Sequence, residues 1–342
     1  MTRIRDTTTA SPMSGALPAC GASPACGSPP AVTAVMAFMA AAAVLLAATA
    51  LPARAARADW AVRKEETLHR TFTLAAAPAG GGGETGGARG ARGARSTGRR
   101  AVEVDNFTGA VRVRSHPGGE VTLSVHETWA ANSAEQLEQG RREVRLAVAE
   151  TGGGLRLYVD GPFRSRDGGT HFHGWERLGY EAKFDFDLEV PADVDLVART
   201  VNGGEVRVSG VGGSFDVSNV NGPVTLEHMG GAGKARTVNG PVVASFSRNP
   251  AAGCTFDTIN GRIEVSFLDG LAADLRFKTL NGQVYTDYDY DYRSLPPQPA
   301  DRSRGHFHYR SHGDFAARIA GGGPELTFST INGDILIRRQ GA

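Results

Sequence analysis

The chain has 342 residues and a formal net charge of +1, with 37 Lys and Arg set against 36 Asp and Glu. That balance calls for neither nucleic acid nor an anionic surface, and the length holds either two domains or one elongated repeat domain. Glycine is frequent at 45 residues, aromatic residues make up 7%, and three cysteines supply no disulfide framework.

Residues 1–58 read as a leader. Val32 to Leu51 is an apolar, Ala-rich run, preceded by Arg3 and Arg5 and followed by Ala53-Arg54-Ala55 and Ala56-Arg57-Ala58. A basic start, apolar centre and small-residue exit describe a secretory signal cleaved near Ala55 or Ala58. The rival reading is an uncleaved membrane anchor, since the run approaches 20 residues. Cys20 and Cys26 leave with a cleaved leader, which keeps only Cys254 in the exported chain. The expected location is the periplasm or cell surface, with no membrane insertion after leader cleavage.

Residues 59–74 form a first strand region in which Leu68, Phe72 and Leu74 alternate with polar residues. Residues 75–100 are low-complexity Gly, Ala and Arg and read as a solvated, flexible loop; a nucleic-acid role for this RGG-like tract does not suit an exported protein. Residues 101–190 are an N-terminal β part with one short helix. Val102 to Val113 carries Asn106-Phe107-Thr108-Gly109, and Ser133-Ala134-Glu135-Gln136 is a capping-box pattern that opens a helix to about Arg145. Strands are expected at Glu120 to Trp129, Arg145 to Glu150, Leu155 to Val159 and Tyr180 to Val190.

Residues 191–342 repeat one phrase: Thr200-Val-Asn202-Gly203, Asn219-Val-Asn221-Gly222, Thr237-Val-Asn239-Gly240, Thr258-Ile-Asn260-Gly261, Thr279-Leu-Asn281-Gly282 and Thr330-Ile-Asn332-Gly333. Successive Asn-Gly pairs lie 19, 18, 21, 21 and then 51 residues apart. Apolar residues stand six positions before five of the Asn residues and four before all six, as in Phe215 and Val217. They also stand three and five after it in the pairs Val224/Leu226, Ile263/Val265 and Ile335/Ile337, the first copy's pair shifting by one to Val206/Val208. Each copy is therefore strand, corner, strand, and Val102 to Val113 is a degraded seventh copy. Asn-Gly between alternating strands also signals hairpins, which would make an antiparallel β meander. Identical polar residues at identical places favour the other architecture, an all-β parallel β-solenoid of about seven repeats. In that reading Asn202, Asn221, Asn239, Asn260, Asn281 and Asn332 form a corner ladder partly closed to water. Gly supplies the corner's positive φ. Stacking follows chain order, with Asn332 in the last coil, and Cys254 is a buried, inert thiol.

The order of strand, Asn-x-x-Gly turn, strand, helix and strands, followed by repeated Thr-(Val/Ile)-Asn-Gly units, resembles the bacterial putative-adhesin family of unknown function. The resemblance spans roughly residues 64–339 and implies an exported β-solenoid; it carries no catalytic residues with it.

Chemistry is sparse. No Gly-x-Ser-x-Gly elbow and no phosphate cradle occur. Asp216, Asp257 and Glu264 are the carboxylates a polysaccharide lyase or hydrolase would draw on, and solvated polar positions are the plainer reading. The insertion at residues 287–315 contains His306, His308 and His312, and an earlier loop contains His171 and His173. His-x-His on an extended strand places both rings on one side, as in many zinc sites, and Asp287, Asp289 and Asp291 share a face suited to a hard cation. The sequence thus points to an exported, non-enzymatic, adhesin-like binding or structural protein without a cofactor, contacting a protein or polysaccharide of the cell envelope or surroundings. The alternatives are a polysaccharide-acting β-helix enzyme and a metal-dependent binding protein using a divalent cation.

Overall fold

A computed structural model describes residues 2–4, 60–74, 100–151, 154–164, 174–293 and 314–341. The described residues form one compact, all-β unit. The leader cleavage site, residues 75–99 of the Gly/Arg loop and all five histidine candidates lie outside them.

In chain order the strands begin with β1 (Thr2–Ile4), β2 (Val62–Thr73), β3 (Ala101–Asp105), β4 (Val111–His116) and β5 (Glu120–Ala131). The helix α1 (Ala134–Glu143) leads to β6 (Arg145–Thr151) and β7 (Gly154–Asp160), and one helical turn, α2 (Trp175–Leu178), leads to β8 (Tyr180–Pro191). The repeats supply β9 (Asp195–Arg199), β10 (Val206–Ser209), β11 (Phe215–Ser218), β12 (Val224–Met229), β13 (Gly233–Arg236), β14 (Val242–Phe246), β15 (Cys254–Asp257) and β16 (Ile263–Phe267). They continue with β17 (Ala273–Asn281), β18 (Val284–Thr286), β19 (Asp291–Arg293), β20 (Asp314–Ile319), β21 (Glu325–Asn332) and β22 (Ile335–Arg339). Ser133 caps α1, its hydroxyl accepting from the Gln136 backbone N–H at 3.3 Å, so the capping signal in the sequence marks the helix start.

Two 11-stranded sheets result, ordered β1-β18-β22-β16-β14-β12-β10-β4-β8-β5-β2 and β19-β20-β17-β21-β15-β13-β11-β9-β3-β7-β6. Each repeat gives one strand to each sheet. Through the repeats successive strands pair in parallel with equivalent positions aligned, as in Val224↔Val242↔Ile263↔Ile335, and the register slips only past Leu226, where Met229 pairs with Phe246. Antiparallel pairing appears toward the two ends, in β2–β5–β8 and β6–β7 at one and β17–β20–β19 and β1–β18 at the other. The meander reading therefore fails for the repeats. Asn-Gly here turns the chain from one sheet into the other instead of folding a strand back on itself.

Alternation fixes what goes inside. Leu196, Phe215, Val217, Ala235, Cys254, Phe256, Val224, Ile263 and Val265 are all at most 3% exposed, and burying each apolar side chain favours this register over any slipped by one residue. The expectation of stacking in chain order is corrected at the far end. β21 pairs with both β15 and β17, and β22 with both β16 and β18, so the last repeat sits between two earlier ones. The core rings obey the same order. Phe328 stacks on Phe256 at 5.3 Å and on Phe277 at 5.4 Å.

Candidate functional site

The repeated corner is the most regular chemical feature of the molecule. Five of the six Asn side-chain amides donate to the side-chain oxygen of the neighbouring Asn: Asn221 to Asn202 at 2.8 Å, Asn239 to Asn221 at 2.9 Å, Asn260 to Asn239 at 2.9 Å, Asn332 to Asn260 at 2.7 Å and Asn281 to Asn332 at 2.8 Å. The row runs 202, 221, 239, 260, 332, 281. Asn281, not Asn332, is its terminal member. Asn221, Asn239, Asn260, Asn281 and Asn332 are solvent-exposed, where the sequence led to a corner partly closed to water. At the other end Thr108 replaces Asn and bridges in parallel to Asn202.

Beneath this exposed row lies a buried one. Two residues before the Asn, the hydroxyls of Thr200, Thr237, Thr258 and Thr330 donate to the carbonyls of Gly109, Gly222, Gly240 and Gly261 in the adjacent repeat, at 2.8–3.1 Å. These threonines are at most 4% exposed. In the second copy Asn219 takes the Thr place, its amide reaching the Gly204 and Pro223 carbonyls at 2.9 and 3.2 Å. The Thr in each phrase thus satisfies a corner carbonyl that the neighbouring repeat turns inward. Its recurrence was visible in the sequence, but its partner was not.

The corner glycines answer to the same closeness. A Cβ on Gly261 would stand 1.9 Å from the Gly240 carbonyl oxygen, and one on Gly282 would stand 1.8 Å from that of Gly333. Gly240, Gly261 and Gly282 do not have positive φ, unlike Gly203 at 73°. Close approach of backbones therefore explains these three, in place of the conformational reason read from sequence.

Between the Thr and the Asn of each phrase stands an aliphatic residue: Val201, Val220, Val238, Ile259, Ile331 and Leu280. All but Leu280 are half-buried, and Leu280 is 64% exposed. Amides and aliphatic groups thus run side by side along six repeats, rung after rung at about 4.8 Å.

The outer sheet faces carry ion-pair ladders instead of gathered acids. Arg199 bridges Glu103 at 3.5 Å and Asp216 at 3.7 Å, and Arg236 pairs with Asp257 at 3.3 Å. On the opposite sheet Glu264 meets Arg338 at 2.7 Å and Arg262 at 3.6 Å. Asp216 and Asp257 lie two strands apart, and Glu264 belongs to the other sheet, so the three candidate carboxylates do not converge. Burial pushes the Asp257 carboxyl upward while the Arg236 guanidinium opposes the shift.

Among the described residues no three His, Cys, Asp or Glu side chains gather as for a metal ion. Of the acidic run, Asp287 accepts from the Arg339 backbone N–H at 3.3 Å and Asp291 sits in edge strand β19, while the intervening Tyr288 is buried, its hydroxyl donating to the Phe267 carbonyl at 2.9 Å. Cys254 is buried, and burial pushes its thiol up to about 11. No helix among the described residues is long and apolar enough to cross a membrane.

Neither a protein-family model nor a curated protein matches the chain. Among solved structures it is similar to a putative cell adhesion protein from Clostridium sporogenes, at 9% identity and a TM-score of 0.37, covering 82% of this chain and 100% of that one. It is also similar to a putative adhesin from Bacteroides fragilis, at 9% identity and a TM-score of 0.27, covering 80% and 97% respectively.

Proposed function

We propose that the chain is an exported, non-catalytic, adhesin-like module whose repeats wind as a parallel β-solenoid and whose corner strip binds an extended partner, a polysaccharide or protein of the cell envelope. The observation that carries this reading is the corner strip itself, in which five of the six amides are exposed and five of the six aliphatic side chains are half-buried. Six aligned amides beside six aliphatic side chains offer the same contact at each rung, which suits a partner that also repeats along its length. The amides hydrogen-bond one another and still keep donors and acceptors toward solvent. Such a flat array favours weak contacts multiplied by number over one deep pocket.

Co-sedimentation with insoluble peptidoglycan, together with a glycan array, tests this. The wild-type chain should be retained, and the triple variant Val220→Glu, Val238→Glu, Ile259→Glu should lose retention while keeping its β-sheet circular dichroism. Equal retention of the two proteins, or release of soluble sugar fragments by the wild type, would contradict the proposal.

A further inference from the structure

The last repeat enters the stack by an unusual route. β20 lies against one edge of β17, antiparallel, and β21 lies against the other, parallel. The chain must therefore cross over the start of β17 between Ile319, opposite Ala273, and Glu325, opposite Asp274. Two strand spacings separate those points, about 9.6 Å, and five residues, Ala320-Gly321-Gly322-Gly323-Pro324, make the crossing. Three of them have positive φ: Ala320 at 47°, Gly321 at 82° and Gly322 at 91°. For Ala320, which carries a Cβ, that region is strained.

Past the crossing the chain forms a complete unit. Leu326, Phe328, Ile335 and Ile337 of β21 and β22 are at most 1% exposed, packed between Phe256 and Val265 on one side and Phe277 and Val284 on the other. Thr330 donates to Gly261, and Asn332 joins Asn260 to Asn281. Both walls of the slot are thus built for one apolar and hydrogen-bonding pattern, that of this repeat, and they belong to strands that precede it in the chain. A short strained hinge joined to an element with its own complete interface is the arrangement from which segments exchange between copies.

We propose that β21–β22 is an exchangeable unit and that the partner fitting the slot is a second copy of this chain. Reciprocal exchange extends the two hinges, relieves Ala320 and refills both slots with identical contacts, giving a dimer that gains nothing in the core and loses nothing. Chain concentration during folding decides which form is made, because the intramolecular insertion competes with one supplied by a neighbour.

A disulfide trap reads the difference. Thr255 and Thr327 are direct partners on the outer face of β15 and β21, a spacing of about 4.8 Å that a disulfide bridges. In the full chain carrying Thr255→Cys and Thr327→Cys, with Cys20→Ser, Cys26→Ser and Cys254→Ala, the protein is unfolded under reducing conditions. It is then refolded dilute or concentrated and oxidised. Dilute refolding should give monomers with the bond inside one chain, and concentrated refolding should give dimers with the bond between chains, rising with concentration. A bond that stays within one chain at every concentration, or dimers whose bonds are all internal, would overturn the proposal. A second variant removes Gly321–Gly323. The two residues left span about 10 Å in three extended steps, too little to arch over β17, so its bond should form between chains even when dilute; an internal bond there would also overturn the proposal. The concentration series uses the full hinge and does not depend on the shortened variant folding.

Discussion

Replacing Thr258 by Val tests whether the buried row under the corner holds the repeats together. Val keeps the volume of Thr but removes the hydroxyl, which donates to the Gly240 carbonyl at 2.9 Å from a side chain only 4% exposed. The carbonyl loses a donor where water does not replace it, so the cost should be about 2 kcal/mol. Asn260→Ala breaks two hydrogen bonds, to Asn239 and from Asn332, yet these amides are exposed and their freed partners rehydrate. Its cost should be about 1 kcal/mol or less. Urea melts of the two variants at matched m-values give the comparison. If Asn260→Ala costs more than Thr258→Val, the exposed row carries the corner and the buried row does not.

Gly261→Ala should destabilise by about 1–3 kcal/mol, because its Cβ would meet the Gly240 carbonyl oxygen at 1.9 Å and the repeats must part to admit it; a urea midpoint at the wild-type value would refute the close-approach account. Hydrogen bonds from Arg141 and then Lys64 lower Glu66 to about 2. A carboxylate depressed on folding stabilises above its unfolded value near 4.5 and loses that contribution as pH falls toward 2. Arg141→Gln should therefore flatten the fall in urea midpoint between those pH values, and an unchanged slope would remove Glu66 from the acid response. Cys254, with its thiol raised to about 11, should be silent toward a thiol reagent at pH 8 until the chain unfolds. Folded wild type and Cys254→Ala should thus titrate the same number of thiols, and one extra in the wild type would show Cys254 to be accessible.

The strand positions and their inward faces were legible because alternation and burial obey the same period of two. Phe215, Val217, Ile263 and Val265 stand where the pattern puts them, and Ser133 marks the helix start. Identical residues around each Asn also pointed to parallel stacking. The order of the stack could not be read. Asn332 and Asn281 carry the same phrase, so local sequence fits either one beside Asn260, and only the hinge at Ala320 to Pro324 and the 51-residue interval decide the matter. The exposure of the amides is hidden in the sequence for a related reason: the phrase alternates, but the corner rotates the chain, so the inward place falls on Thr and the outward one on Asn. The reason for the corner glycines Gly240, Gly261 and Gly282 is likewise not local, because the carbonyl that approaches each comes from another repeat.

The last repeat lies between the two before it, with all three parallel, and on that order the whole architecture of this end depends. Disulfide formation on the outer face of the first sheet tests it most directly. Leu336 is the direct partner of both Glu264 and Tyr285, which leaves Glu264 and Tyr285 two strands apart. In dilute protein, Glu264→Cys with Leu336→Cys should oxidise to an internal disulfide, whereas Glu264→Cys with Tyr285→Cys, separated by about 9.6 Å, should stay reduced. Ready closure of the second pair and failure of the first would mean that the repeats stack in chain order, contradicting the interleaved stack.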